Sequence, residues 1–164
     1  MAAKLRAHET DVVICYTPPR DTLLASSRLG EGEMVACFRE ADLPDALDPL
    51  PLSALAGRAL IPTADSGPQG RAMADELARH EIETDPVGAS RTFFVAAAMA
   101  RAGLGMTIVD LHTALAMQAP GMAMRRLDPP QPYAIHAAYL EARPPSQLAL
   151  DFLDYLRERL QVHK

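Results

Sequence analysis

The sequence predicts an α/β fold, and two observations carry that expectation. Short apolar, β-branched runs suit buried strands, and stretches of helical spacing alternate with them along the whole chain. Prolines at "TPPR", "LDPLPL", "LDPPQP" and "RPPS" punctuate the boundaries, so the units between them are short. Strands alternating with helices of roughly 10–13 residues imply right-handed crossovers and a largely parallel sheet. In such sheets ligands bind beyond the carboxyl ends of the strands.

Taken in order, "DVVICY" (11–16) is a continuous apolar run that suits a strand buried on both faces, and "EMVACF" (33–38) has the same character. "PLSALAGR" supplies a helical turn with Ser53 as cap and Gly57 as stop, and "ALIPT" (59–63) reads as the next strand. "PQGRAMADELARH" reads as a helix with Pro68 in its first turn and Met73 and Leu77 on one face. A brief "IETDPV" strand leads to Ser90, expected to cap the helix "RTFFVAAAMARAG", which Gly103 stops. "GMTIVD" (105–110) is another buried strand, "LHTALAMQ" a short helix, and "MAMRRL" and "YAIHAAYL" two further strands. Behind "PPS", with Ser146 as cap, Leu148, Phe152, Leu156 and Leu160 recur every four residues and predict a closing amphipathic helix.

The 164 residues suffice for one compact domain or two small lobes, and 49% hydrophobic with 23% charged residues is ordinary globular composition. A net charge of −5 argues against a nucleic-acid surface on this chain, since phosphate binding needs clustered Lys and Arg. Two cysteines, Cys15 and Cys37, make no disulfide framework, so a reducing, cytoplasmic setting is expected. No apolar segment approaches the roughly 20 residues that cross a bilayer, so no membrane partner is expected. Charges from Lys4 to Asp11 also break any secretory h-region.

Sites of known chemistry are scarce. "SGPQGR" lacks the lysine and hydroxyl of a phosphate loop and has the wrong spacing for a dinucleotide fingerprint, so no nucleotide or other cofactor is expected. His8, His80, His112, His136 and His163 include no pair at metal spacing, and no metal is expected. Cys15 reads as a small core residue beside Val12, Val13 and Ile14, with a reactive thiol as the other reading. No nucleophile elbow or acid–base carboxylate pair stands out, so an enzyme is not expected. What stands out is two helix starts that each follow a strand and carry hydroxyls, Thr63, Ser66 and Gly67 in one and Ser90, Arg91 and Thr92 in the other. Unpaired N–H groups and a partial positive charge suit such starts to a small anion, to which Arg20 and Arg91 add charge. Taken singly each serine reads first as a plain cap, and it is their equivalent places in one small sheet that point to a shared cleft.

The succession "ETDVVICYTPP", "LLASSRLGEGEMVACF", "LPLSALAGRALIPTADSG", "VGASRTFFVAAAMARAGLGMTIVD" and "RRLDPPQPYAIHAAYLEARPPSQLALDFLDYLRERL" resembles the effector-binding domain of LysR-type transcriptional regulators. "MARAGLGMTIVD" is similar to the family's phrase in which a helix ends at Ala-Gly-Leu-Gly before an apolar strand. The resemblance runs from about Glu9 to Leu160. It implies a type II periplasmic-binding-protein-like fold, two Rossmann-like lobes joined by crossing strands with a small-molecule effector between them. Residues 1–30 and 128–164 would form an incomplete first lobe and 31–127 the second. Thr63, Ala64, Asp65 and Ser66 would line the cleft from the second lobe, bordered by Ser90, Arg91 and Thr92, with Tyr16 and Thr17 facing it from the first. Asp65 leaves room for an effector with an amine or hydroxyl donor as well as a small organic acid. The family's DNA-binding head and the opening of its first lobe have no counterpart here, so the chain resembles a fragment that reaches DNA only through another domain. The bared strand edge and apolar surface imply a homodimer or higher homo-oligomer. A free-standing solute-binding protein or assembly module of the same fold is the other reading.

Overall fold

The fold is that of a computed structural model, which describes residues 2–18 and 20–161. Met1, Pro19 and residues 162–164, among them His163 and the end of the expected first lobe, lie outside those described. The chain runs α1 (Ala2–Arg6), β1 (Val13–Cys15), β2 (Leu24–Arg39), β3 (Leu50–Pro51), β4 (Ala59–Ile61), α2 (Pro68–Arg79), β5 (Asp85–Pro86), α3 (Phe93–Arg101), β6 (Met106–Asp110), α4 (Leu111–Ala116), β7 (Met122–Asp128), β8 (Pro132–Leu140) and α5 (Gln147–Gln161). Three-residue 3-10 turns at Glu40–Asp42 and Ala64–Ser66, and a longer one at Leu52–Leu55, fill connections. Two compact units result, Met1–Glu31 with Tyr133–Lys164, and Gly32–Pro132.

In the first unit the strand order is β1, β8, β2, with β1 antiparallel to β8 so that Ile14 faces Ala137. β1 is thus an edge strand, and Ile14 is 44% exposed where burial on both faces was expected. A continuous apolar run does not distinguish a central strand from a short edge strand, because only the neighbours decide. Leu5 of α1 is fully buried, although nothing in the charged N-terminus predicts a helix there. The Arg6 side chain pairs with Asp21, whose other oxygen accepts the Leu23 N–H at 3.1 Å. That backbone hydrogen bond first, and Arg6 second, hold the Asp21 carboxyl below its ordinary value.

The second unit is built on the latter half of β2, where Met34 to Phe38 are all buried. Antiparallel partners flank it, β6 with Val35 opposite Val109 and β7 with Val35 opposite Arg126. β4 then pairs parallel with β6 and with β5, and β3 pairs parallel with β7. The sheet is therefore mixed where a largely parallel one was expected. Parallel pairing holds where helices α2 and α3 carry the chain from β4 through β5 to β6; the 16-residue β2 stands outside that series and runs antiparallel to its neighbours β6 and β7. All five residues of β6 are buried, and Phe93, Ala96, Ala97 and Ala100 of α3 add the apolar cover expected of a core helix. Gly103, φ +85°, stops α3 as expected. Ser53 lies inside its 3-10 turn, which Pro51 precedes without a side-chain cap.

Candidate functional site

Two threonines fix the end of β4 against β6. Thr107 donates its hydroxyl to the Ile61 carbonyl and Thr63 donates to the Ile108 carbonyl, each at 3.2 Å, both in buried surroundings. This reciprocal pair satisfies two hydroxyls that would otherwise be costly to bury. Beyond Thr63 the chain makes the Ala64–Ser66 turn, closed by the Ser66 N–H on the Thr63 carbonyl at 2.8 Å. Gly67 then takes φ +109°, a value that L side chains disfavour, and Pro68 opens α2 with no N–H to leave unpaired. Gly70 lies so close to the turn that a Cβ there would fall 1.8 Å from the Thr63 carbonyl oxygen.

The second loop is stitched to the first. The Ser90 N–H donates to the Pro62 carbonyl at 3.3 Å, and the Ser66 hydroxyl donates to the Ser90 carbonyl at 3.3 Å. Ser90 is buried, and it does not cap the helix after it as expected. Its hydroxyl instead donates to the Thr92 carbonyl at 2.7 Å and accepts the Thr92 N–H at 3.2 Å. Thr92 is the N-cap, with its hydroxyl accepting the Val95 N–H at 3.2 Å. The reason is local: the tight Ser90 turn postpones helical geometry to Phe93, so the residue in extended backbone just before the helix, φ −140° and ψ 143°, is Thr92.

Thr63, Ala64, Asp65, Ser66, Ser90, Arg91 and Thr92 are therefore neighbours in the second unit, and all four of their hydroxyls serve the scaffold. With the Ser66 N–H on the Thr63 carbonyl and the Val95 N–H on the Thr92 hydroxyl, the turn-opening donors that remain for a small molecule are the N–H groups of Ala64 and Asp65 and those of Phe93 and Phe94 at the start of α3. Asp65 and Arg91 are exposed and supply opposite charges. Tyr16 and Thr17 belong to the first unit, just past β1; the Tyr16 ring meets Tyr133 edge-on at 5.1 Å and 78°, and Thr17 is exposed. Arg20 is exposed in the same unit. Cys15 is buried, and burial raises its thiol pKa, in keeping with a core role. Burial first, and the Asp110 carboxylate second, push the Cys37 thiol up to about 12.

Thr107 and Gly70 escaped the sequence reading, yet both carried a signal. A lone threonine inside "GMTIVD" must find a hydrogen-bond acceptor when buried, and a glycine in a helix's first turn marks close backbone approach. Among the described residues no three His, Cys, Asp or Glu side chains converge to hold a metal ion, and no helix is long and apolar enough to cross a membrane.

The fold is the periplasmic-binding-protein-like one of LysR regulatory domains. The regulatory domain of CcmR from Synechocystis PCC6803, solved in complex with 2-PG, superposes with a TM-score of 0.79 at 19% identity, covering 97% of this chain and 77% of that one. HinK, a LysR family transcriptional regulator from Pseudomonas aeruginosa, superposes with a TM-score of 0.77 at 18% identity, covering 97% of this chain and 56% of that one. Residues 1–161 match the LysR substrate binding domain, and the chain belongs to that family. It is 27% identical over 152 residues to the HTH-type transcriptional regulator DgcR of a Pseudoalteromonas species, covering 93% of this chain and 52% of that protein. The chain thus spans about half the length of that curated relative.

Proposed function

We propose that this chain is the effector-sensing domain of a LysR-type transcriptional regulator and receives a small organic acid, or a similar metabolite, at loops 63–66 and 90–92. The observation that carries this reading is the loop pair: two strand-end loops tied by the Ser66–Ser90 and Ser90–Pro62 hydrogen bonds, with two sets of turn-opening N–H donors in one neighbourhood. Such donors and the Arg91 guanidinium favour a carboxylate or phosphate, and Asp65 favours a ligand that also carries a hydroxyl or amine. A regulatory domain of the same fold in complex with 2-PG supports a small-molecule ligand.

In this reading residues 1–30 with 128–164 and residues 31–127 are the two lobes, the parent regulator is a cytoplasmic homo-oligomer, and DNA contact belongs to a domain outside this chain. The ligand acts by binding one conformation of the domain better than another, which shifts the population that the DNA-binding head experiences. The domain has a sensing role and no catalytic one. Membership of the LysR family favours this assignment over a free-standing solute binder.

Calorimetric titration with a panel of small hydroxy, amino and phosphorylated acids tests it. An exposed arginine leaves the fold intact when removed, so Arg91→Ala is expected to weaken the bound acid by about 1.5 kcal/mol, the lower end for a charged hydrogen bond. No acid binding anywhere in the panel, or unchanged affinity in Arg91→Ala and Ser66→Ala alike, would overturn the placement at these loops.

A further inference from the structure

A cavity of about 250 Å3 lies under α2 in the second unit, beside the loop pair and chemically unlike it. Its floor is buried and apolar, formed by Leu60, Ile61, Met73 and Ile108, while its rim is set by the exposed Ala74 and Ala78 on α2. None of the described residues lining it is charged. We propose that this cavity is a second ligand-binding site, for a compact neutral apolar group such as a single aromatic ring or a branched aliphatic of about six to ten non-hydrogen atoms.

Three features support the assignment. The cavity exceeds the roughly 150 Å3 hydrocarbon-lined void that accepts benzene, and falls just short of the roughly 300 Å3 where drug-sized pockets begin, which sets the ligand's size. A charged ligand would lose its hydration there without a counter-charge among the lining residues, which sets its polarity. The space is also held open by the backbone. α2 is pinned at its first turn, where Gly70 touches the Thr63 carbonyl, so the helix cannot slide further onto the sheet, and the alanines at 74 and 78 are too short to fill the gap beyond. Thr63 and Ala64 line the cavity as well as belonging to the first loop, so an occupant would bear on the loop's position from behind. The proposal rests on the cavity and stands whether or not an acid binds at the loops.

The test is methyl-resolved NMR and thermal unfolding of the 164-residue chain with toluene as the probe. Saturable shifts of the Met73 and Ile108 methyl signals and a raised unfolding midpoint are expected. Ala78→Leu and Ala74→Met, which fill the cavity from its rim by different side chains, are each expected to abolish the shifts while keeping the folded spectrum; if one fails to fold, the other decides. Absence of toluene-dependent methyl shifts in the parent chain, or an undiminished response in a folded filling variant, overturns the proposal. A parallel titration with lactate separates the two readings. Lactate shifts confined to the amides of 64–66 and 91–93 support the loops, whereas toluene shifts with no response to lactate or to any other acid of the panel remove the loop assignment and leave the cavity site standing.

Discussion

Gly70 packs so tightly against the Thr63 carbonyl oxygen that a small change there has a large effect. A methyl group placed 1.8 Å from that oxygen must push α2 off the turn, and neither partner is a flexible side-chain end. Gly70→Ala is expected to destabilise the chain by roughly 3 kcal/mol, in the range of overpacked or strained sites, read as a lower urea midpoint at unchanged m-value. Cys37 gives a pH signature. A thiol whose pKa rises from 9.0 to about 12 on folding holds its proton longer in the folded chain than in the unfolded one. The stability it contributes is whole below about pH 9 and falls by up to about 1.4 kcal/mol per pH unit as the pH climbs towards the folded value. Denaturation midpoints measured from pH 8.5 upwards are expected to fall less steeply in Cys37→Ala, and parallel curves would refute the assignment. At this scale the sequence was legible for residue types and less so for their duties. Thr63, Ser66, Ser90 and Thr92 were identifiable as hydroxyls at helix starts, but which one caps depends on a two-residue turn that local propensity does not encode.

The C-terminal helix shows how the same limit acts on an element. Ser146 caps α5 as expected, accepting the Ala149 N–H at 3.3 Å, and the amphipathic reading is right in kind. Two of the four expected inward positions, Leu148 and Phe152, lie on the other face, while Leu156 and Leu160 turn inward as expected. Leu148 is 80% exposed and Phe152 53%, whereas Leu153 is 3% exposed, and the inward positions follow Ala149, Leu153, Leu156 and Leu160. A strict four-residue spacing advances about 40° per step on a helix of 3.6 residues per turn, so three steps carry the stripe about a third of the way round. The buried set mixes steps of four and three and stays on one side. Gly30 accommodates its last member, since a Cβ there would come within 2.8 Å of the Leu160 Cβ. Leu153→Ala is accordingly expected to cost about 2–4 kcal/mol and Leu148→Ala under about 0.5 kcal/mol in chemical denaturation. Equal losses at the two positions would return the helix to the face that simple spacing suggests.

For the whole molecule, the α/β class and the order of nearly every element follow from periodicity and punctuation, whereas strand direction does not. Antiparallel pairing of β2 with β6 and β7 links residues about 70 to 90 positions apart, and no local pattern specifies such a partner. The same long-range dependence hides which apolar surfaces lack cover. In the first unit β1 ends the strand order with Ile14 exposed, and α5 presents Leu148, Phe152 and Tyr155 outward along successive turns, with the Arg159 guanidinium 5.1 Å from the Tyr155 ring centre. Outward charges of both signs lie near that stripe, Asp151, Asp154 and Glu158 with Arg159, and a net charge of −5 opposes association only weakly. A row of three large apolar groups on a helix face favours pairing with a like face, since joining two removes both from water. The chain is therefore expected to sediment as a dimer or larger at tens of micromolar, with little salt dependence, because the driving surface is apolar. Phe152→Glu puts a charge in the middle of the stripe without touching Leu153, and is expected to shift the population towards monomer while leaving the unfolding midpoint of the monomer unchanged. A parent chain that sediments as a monomer, or a Phe152→Glu variant with the same distribution as the parent, would show that this face does not drive association.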